Sequence, residues 1–500
     1  MRIMTKRLFI AMCAVVAMFA TACENGGENN EGGNDVEITL TVTPETIQIS
    51  ALGEEVTLEV TTDAKEWDFV NATSWLNVRR HENTLKMLAS ENTTEEVRKG
   101  TILIVAKTGS TSVEKSVTVE QAANTTGTGG SSMFECPVFE EIILSNFDFD
   151  GDGKLSAEEA ARITDLTLTM SDEEEREPIT SLKGIKSFVN LVNLDCDCNN
   201  ITDLDLSGLE KLEYVDCSYN LITKIDVSGC KSLKWLYAYS NELEKLYVTG
   251  CDNLMFLQAY NNSLKEIDVT GFPEMIYLDL RLNKLTEAKF SNCPKLQIAA
   301  IGSNHIMSLD LTGLPELYTL GCYENSIATL DVTGLPKLEM LECYANNLEK
   351  LDCSKNPELM ALTCQRNMLT ELNIEGCTKL KKLDCSNNYL TGELDVNGLN
   401  DLYFLHCGGN NYTSVKANNC TLMTDMECAN TQITELEVSN LTLLESLVAN
   451  DCQITEMDCS NNTKLDALYL QGNPLEVLYL SEGQSIIDLK LDNHDVIQYK

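Results

Sequence analysis

The chain has 500 residues, a formal net charge of −40 at pH 7, 43% hydrophobic residues and only 6% aromatic ones. A polyanion of this strength repels nucleic acid and anionic lipid, so neither is a candidate partner. The length allows several domains, and the composition makes their cores aliphatic.

Arg2, Lys6 and Arg7 precede an apolar run from Leu8 to Phe19, and the stretch closes with ATAC at Ala20 to Cys23. That order predicts a secretory signal, and the run is shorter than the ~20 residues of a membrane-spanning helix. It resembles the type II signal of bacterial lipoproteins. The resemblance implies removal of residues 1–22, lipidation of Cys23 and a polar, Gly-rich tether over 23–35. The other reading is an ordinary signal in which Cys23 is incidental. Two or three acyl chains on Cys23 would hold the protein to the outer membrane, where one chain alone gives marginal binding. The expected location is therefore the cell envelope, on the surface, with the lipid anchor as the sole membrane contact.

Residues 36–123 alternate apolar and polar in short runs such as VEITLTV (36–42), VTLEV (56–60), GTILIVA (100–106) and KSVTVEQ (115–121). Period-two runs separated by Pro44, Gly53 and Gly109 predict antiparallel strands of an immunoglobulin-like sandwich. With Trp67, Trp75 and the closing VTVEQAA, the segment resembles the BACON family of small surface and secreted domains. The resemblance implies a spacer or a carbohydrate-associated module. The two tryptophans either stack on sugar rings or fill the sandwich core, and a strand Trp in a small β-domain favours the core. A linker, 124–133, begins with NTTGTGGSS (124–132), which has no side chain worth burying.

Residues 134–162 hold the stretch DFDGDGKLSAEE. Asp148, Asp150 and Asp152 stand at loop places 1, 3 and 5, Gly153 makes the turn at 6, and Lys154 offers its carbonyl at 7. Ser156 can hold a water at 9, and Glu159 can close the site with two oxygens at 12. This is the full EF-hand ligand pattern, so a single structural calcium is expected, against the alternative of a solvated acidic turn. PVFEEIILSNF (137–147) has helical apolar spacing and AEEAARIT (157–164) starts an exit helix. Dockerin modules and calcium sensors pair two such loops, and this chain has one.

From Leu191 the chain repeats every 21 residues in the pattern LxxLxCxxNxLxxLxVxGCxx, with starts at Leu212, Leu233, Leu254, Met275 and onward to Leu465, and one residue inserted near Gly392. An irregular coil begins at Ile163, interrupted by SDEEEREP (171–178). Such self-similarity predicts a solenoid over 163–500, and the pattern resembles the leucine-rich-repeat family. Positions 1, 4, 6 and 11 should face inward. Asn at position 9, present in twelve of fourteen coils, should bond backbone groups that the turn leaves unpaired. Thr431 and Cys452 replace it, which marks a weak point. Gly or Asn at position 18 should make a left-handed turn, and a second apolar pair should give each coil a second short strand, so that two parallel ribbons line the stack. The family resemblance places the first ribbon on a concave face, an arc of about 70 Å at ~4.8 Å per strand. The fold expected is mainly β: a sandwich, a short helical cap in which the calcium loop covers the open end of the core, and a solenoid of parallel strands.

Eight cysteines fall at position 6 (Cys196, Cys217, Cys322, Cys343, Cys364, Cys385, Cys407, Cys428) and five at position 19. Bridges are the default for an exported chain. Here Ala238, Ala259, Leu280 and Ile301 occupy the same slot, and stacked residues point the same way, so the reading favoured is buried free thiols.

Outward positions of the early coils carry Tyr214, Trp235, Phe256 and Tyr277 at position 3, Tyr237 at 5, Tyr239 and Tyr260 at 7, and Tyr219 at 8. These rings should form one patch, either a binding site or cross-strand packing that stiffens the sheet. Later coils have sparser aromatics (Tyr323, Tyr344, Tyr403, Phe404) and more acids. The four histidines are scattered and no nucleophile or phosphate motif appears, so no catalytic residue and no enzymatic activity are expected. The expected function is capture or adhesion of a macromolecular, protein partner by a monomeric envelope lipoprotein. The alternatives are a glycan-binding accessory protein and a periplasm-facing assembly factor.

Overall fold

The computed structural model describes residues 38–123 and 133–500, apart from 52, 54, 72, 91, 93, 95, 110 and 171–175. The leader, Cys23, the tether, nearly all of the linker and most of the acidic insert lie outside the described residues. The chain divides into two compact units between residues 127 and 128, within the predicted linker. No helix among the described residues is long and apolar enough to cross a membrane.

The first unit contains β1 (Leu40–Thr43), β2 (Thr46–Ile49), β3 (Glu55–Thr62), β4 (Glu66–Asn71), β5 (Leu76–His81), β6 (Thr84–Ala89), β7 (Arg98–Thr108) and β8 (Thr111–Gln121). They form two four-stranded sheets, ordered β1-β3-β6-β5 and β2-β8-β7-β4. Alternation sets the packing: Ile102, Ile104 and Ala106 of β7 and Val117 and Val119 of β8 are fully buried. One pairing departs from the antiparallel expectation, since β2 runs parallel to β8. The chain switches sheets after two residues between β1 and β2, so β2 reaches the second sheet already running in the direction of β8. Trp67 is buried in the core with the Arg80 guanidinium 3.9 Å from its ring centroid, and Trp75 packs at the core margin with Arg98 at 4.6 Å. Both rings are thus engaged within the sandwich, which favours the packing role for them over sugar stacking.

The second unit opens with α1 (Pro137–Phe147), the acidic loop and the single turn α2 (Ala157–Ala160). Phe139 and Ile143 of α1, Leu155 of the loop and Ala160 of α2 belong to the same buried cluster as Ile163, Leu166 and the coils beyond. Phe134, Phe139 and Phe188 meet with ring centroids 5.1 to 6.5 Å apart, which fixes the helix over the first coil. These residues therefore cover the end of the stack.

One sheet of sixteen parallel three-residue strands runs from Asp165–Thr167 to Asp488–Lys490. Positions 1, 4, 6 and 11 are buried as the pattern requires: Leu212, Val215, Cys217 and Ile222 all have no exposed surface. Each such leucine stabilises the stack by about 2 kcal/mol relative to exposure. The second ribbon is not continuous. It splits into sets of three, two, two, two and three strands. Neighbouring coils are thus paired all along the long sheet and only in places on the side opposite. A recess of about 1040 Å³ opens where the second ribbon breaks between residues 373 and 391, lined by Leu372, Leu394 and Tyr412. The inserted residue is absorbed nearby as a register shift between Gly392 and Glu393.

The asparagine at position 9 ties successive coils together. Asn220 Nδ2 donates to the carbonyls of Cys196, Cys217 and Ser218 at 3.0 to 3.2 Å, and its Oδ1 accepts from Ile201 N at 2.9 Å. The same set recurs from Asn199 to Asn410 and, less one bond, at Asn473. The left-handed turn at position 18 occurs at Gly208, Gly229, Gly250, Gly271, Asn292, Gly313 and Gly376 and not at Gly334, Gly398, Asn419, Asn440 or Asn461. Left-handed backbone is instead invariant at position 8, one residue before the asparagine, from Cys198 (φ 58°) and Tyr219 (φ 53°) to Gly472 (φ 72°). Only two of those fourteen residues are glycine. The others carry a cost of about 1–2 kcal/mol each, which the amide bonds of the ladder asparagine beside them offset in every coil except those of Asn430 and Asp451, where Thr431 and Cys452 follow.

Candidate docking face

Strand alternation turns positions 3, 5 and 7 of each coil outward, and parallel pairing puts equivalent positions side by side. Tyr214, Trp235, Phe256 and Tyr277 are consecutive cross-strand partners, followed by Ile298, Thr319 and Met340. All eight aromatic residues anticipated from the sequence lie on this face. Tyr214 and Tyr237 meet edge to face at 5.7 Å, and Phe256 and Tyr277 lie 6.3 Å apart.

Positions 7 and 8 form a column. Tyr219 meets Tyr239 edge to face at 5.3 Å, and Tyr239 stacks on Tyr260 at 4.6 Å with an interplanar angle of 4°. The Arg281 guanidinium lies 5.7 Å from the Tyr260 ring centroid. Arg281 is clamped by Asp279 through Nε at 2.9 Å and Nη2 at 2.6 Å, and bonds to Asp279 and Tyr323 raise its already high pKa further. Tyr323 stacks on Tyr344 at 4.7 Å, and its ring occupies the space above Gly302, where a Cβ would fall 2.6 Å from ring atoms. Tyr323 and Tyr344, set apart in the sequence from the early patch, are therefore continuous with it. The signal missed was Gly302, which vacates the room that lets Tyr323 and Arg281 meet. Burial pushes the Tyr277 hydroxyl up to about 12 and Tyr260 higher still, so both remain protonated donors.

Two further groups on this face were not singled out in the sequence. Carboxylates of Asp195, Asp197 and Asp216 lie within 4.8 Å of one another. Burial, with the charges of Asp195 and Asp197, pushes Asp216 up to about 6 despite its bonds from Ser218. Farther along, His406 Nε2 sits 2.7 Å from Asp425 Oδ1, with Phe404 packed 3.9 Å from the imidazole centroid. Both groups join residues of adjacent coils, no more than 21 positions apart, that the 21-residue register superimposes.

In the cap loop, carboxylate oxygens of Asp148, Asp150 and Asp152 also lie within 4.8 Å of one another. Asp148 accepts from the amides of Gly151, Asp152 and Gly153 at 2.8 to 3.2 Å, and Asp152 accepts from Lys154 N at 2.8 Å. The Asp152 amide lowers the pKa of Asp150, yet lost hydration and the charges of Asp152 and Glu159 leave it raised. Glu159 bonds both ends of the loop, through Phe149 N at 2.7 Å and Ser156 N and Oγ at 2.8 Å. These bonds, led by those from Ser156, hold its carboxyl down at about 2. Three converging carboxylates on a turned glycine loop fit a hard cation. Glu159 stands as a helix-capping residue in this conformation, and would turn from its capping bonds to reach an ion.

All eighteen cysteines among the described residues are free, and all but Cys198 are buried. Cys322, Cys343, Cys364, Cys385, Cys407 and Cys428 stack in six successive coils, where burial raises every thiol pKa except that of Cys428, raised first by its bond to Cys452.

The BACON model, an N-terminal binding domain, matches residues 65–122, and a model of two leucine-rich repeats matches residues 189–229. The functional domain of InlJ from Listeria monocytogenes, a structure that includes a cysteine ladder, is 30% identical; the similarity covers 69% of this chain and 70% of that one, with a TM-score of 0.54. The chain belongs to the leucine-rich-repeat family. The leucine-rich-repeat fold is shared with the effector YopM from Yersinia pestis at 23% identity and TM-score 0.53, covering 66% of this chain and 88% of that one. The plant peptide hormone receptor RGFR1, solved in complex with RGF2, shares it at 19% identity and TM-score 0.52, over 64% and 58% of the two chains. No curated protein sequence matches the chain. Leucine-rich repeats are typically protein-interaction domains, and both they and BACON domains are generally non-enzymatic binding modules.

Proposed function

We propose that this protein captures a protein partner on the concave face of its repeats, with the column from Tyr219 to Tyr344 as the contact centre. The observation that carries the reading is the orientation of the rings. Sugar binding needs an aromatic face open to solvent. In the column, Tyr239 lies between Tyr219 and Tyr260, and Tyr260 between Tyr239 and Arg281, so their faces are occupied by one another. Ring edges and hydroxyls remain, and these suit the mixed apolar and hydrogen-bonding contacts of a protein surface. The strong negative charge favours a basic partner.

In the same reading, Cys23 carries the lipid that holds the chain to the outer membrane, the BACON domain spaces the repeats from the anchor, and a calcium ion held by Asp148, Asp150 and Asp152 pins the cap. The role is adhesion or capture at the cell surface. The test is parallel: the full chain and a Tyr239→Ala/Tyr260→Ala double variant are presented to surface-protein arrays and to polysaccharide arrays. Binding to a protein that the double variant loses supports the reading. Binding to polysaccharide that Trp235→Ala abolishes overturns it in favour of a glycan-binding accessory role.

A further inference from the structure

We propose that the second tyrosine stack, Tyr323 on Tyr344, ends in a docking place for an arginine side chain of the partner. The inference rests on the capture reading above and names the group that is captured there. The first stack supplies the template. Tyr239 and Tyr260, at position 7 of successive coils, are followed at position 7 of the next coil by Arg281, whose guanidinium lies 5.7 Å from the Tyr260 ring centroid. Asp279, at position 5 of the same coil, clamps that guanidinium through Nε at 2.9 Å and Nη2 at 2.6 Å. The order is tyrosine, tyrosine, cation, with an acceptor beside the cation.

Four coils on, the same places carry Tyr323 and Tyr344, stacked at 4.7 Å with an interplanar angle of 4°, and then Gln365 and Thr363 where the template has Arg281 and Asp279. The cation is missing and acceptors remain. Thr363 is 8% exposed, and its Oγ1 and the Gln365 Oε1 are both buried without a hydrogen-bond partner. A buried oxygen left unpaired is a cost to the fold, and here two such oxygens fall in one strand at the end of the stack. Strand register sets Glu342 and Asp384 on either side of Thr363. Asp384 Oδ1 accepts from Ser386 N at 3.1 Å and Ser386 Oγ at 2.8 Å, which holds the carboxylate in place and leaves Oδ2 for a further donor. Among the described residues neither Glu342 nor Asp384 forms an ion pair and no cation lies over Tyr344; Lys382, in the same strand as Asp384, lies over Phe404 at 4.8 Å instead.

The chemistry of the place selects a guanidinium. It offers a ring face, two neutral oxygens and two carboxylates, and no donor that an anion would need. A guanidinium is planar, stacks on an aromatic ring, stays charged and carries its donors in a fork that reaches several oxygens at once. Tyr323 covers one face of Tyr344, and the other is toward the coil of Gln365. The partner's side chain enters there as the half-buried side chains of Gln365 and Glu342 turn aside, and the net charge of −40 steers it in.

The probe is the peptide acetyl-Gly-Arg-Gly-amide, with the citrulline peptide as its neutral counterpart, each titrated into the full chain and followed by saturation-transfer NMR. The arginine peptide should bind about ten-fold more tightly than the citrulline peptide. Gln365→Arg, which supplies the missing cation from the chain itself, and Asp384→Asn should each weaken it about ten-fold, while Glu266→Gln on the second ribbon should leave it unchanged. Thr363→Val should not lower the melting temperature, because that hydroxyl makes no bond within the fold. Equal binding of the two peptides, equal weakening by Glu266→Gln and Asp384→Asn, or a Thr363→Val variant that melts lower overturns the proposal. The peptide comparison is made on the wild-type chain, so a variant that fails to fold does not decide the outcome. A protein partner whose binding survives Gln365→Arg would keep the capture reading and sink this site; arginine binding with no protein partner on the arrays would sink the capture reading and keep the site.

Discussion

The coils beginning at Leu212, Leu233 and Leu254 differ from those beginning at Met423 and Leu444 in opposite ways on their two sides. The early coils are regular inside, with Asn220, Asn241 and Asn262 making the same ladder bonds, and specialised outside, with Tyr219, Tyr239 and Tyr260 in contact. The late coils present Asp425, Glu427, Ser446 and Val448 outward, with no aromatic ring among them, but break the ladder inside with Thr431 and Cys452. A solenoid tolerates change outside at little cost to its neighbours, so that is where a partner is read. Change inside removes bonds shared by two coils, and it concentrates weakness there.

The sharpest way to break this contrast is at the ladder. Asn241→Ala strands Ile222 N and the carbonyls it serves, and should cost about 3 kcal/mol in denaturant unfolding; Thr431→Ala should cost about 1 kcal/mol. Equal losses would show that the late coils are not the weaker ones.

Asp216→Asn sharpens the early side. The folded pKa of about 6 lies above the ordinary 3.8, so the charged form is disfavoured in the fold and the penalty is full above pH 6. The variant should gain about 2 kcal/mol at pH 7 or above. That gain should shrink as pH falls through 6 and vanish below about 3.8, as followed by melting temperature against pH.

Tyr239→Ala should weaken partner binding about ten-fold with little change in melting temperature, whereas Val448→Ala on the late outer face should leave affinity unchanged. A Tyr239→Ala variant that loses stability and keeps affinity would make the column a stiffening device. The smallest effect belongs to the cap: calcium should raise the melting temperature of the repeat unit by a few degrees, and Asp148→Asn with Asp150→Asn should abolish the rise.

Much of this was readable from residues alone. Period-two runs announced the sandwich, and the 21-residue register identified the coils, the inward leucines, the ladder asparagines and the small slot that cysteine fills. The convergence of Asp148, Asp150 and Asp152 in the cap loop was legible because their spacing around Gly151 and Gly153 is local. The conformational demand was misplaced by ten positions. Glycine marks position 18, but the invariant left-handed residue is at position 8, where Tyr, Leu, Glu and Arg all occur; its backbone is tied to the next coil, as Tyr219 N is to Tyr239 O and, where the ladder amide is missing, Asn430 N is to Asn450 O at 2.8 Å. The second ribbon expected from the second apolar pair forms only in short sets, because pairing there depends on how neighbouring coils stack and not on the pair within one coil.

The sequence by itself determined the repeat length, which side chains go inside, and which cysteines share a slot, since each follows from periodicity within one coil. It is the stacking of the coils that joins Tyr219 to Tyr344 in one column through Arg281 and Gly302 and brings Asp195, Asp197 and Asp216 together. Those contacts join different positions of different coils, and the offset between coils is fixed by backbone pairing and packing across the stack, which no single repeat encodes.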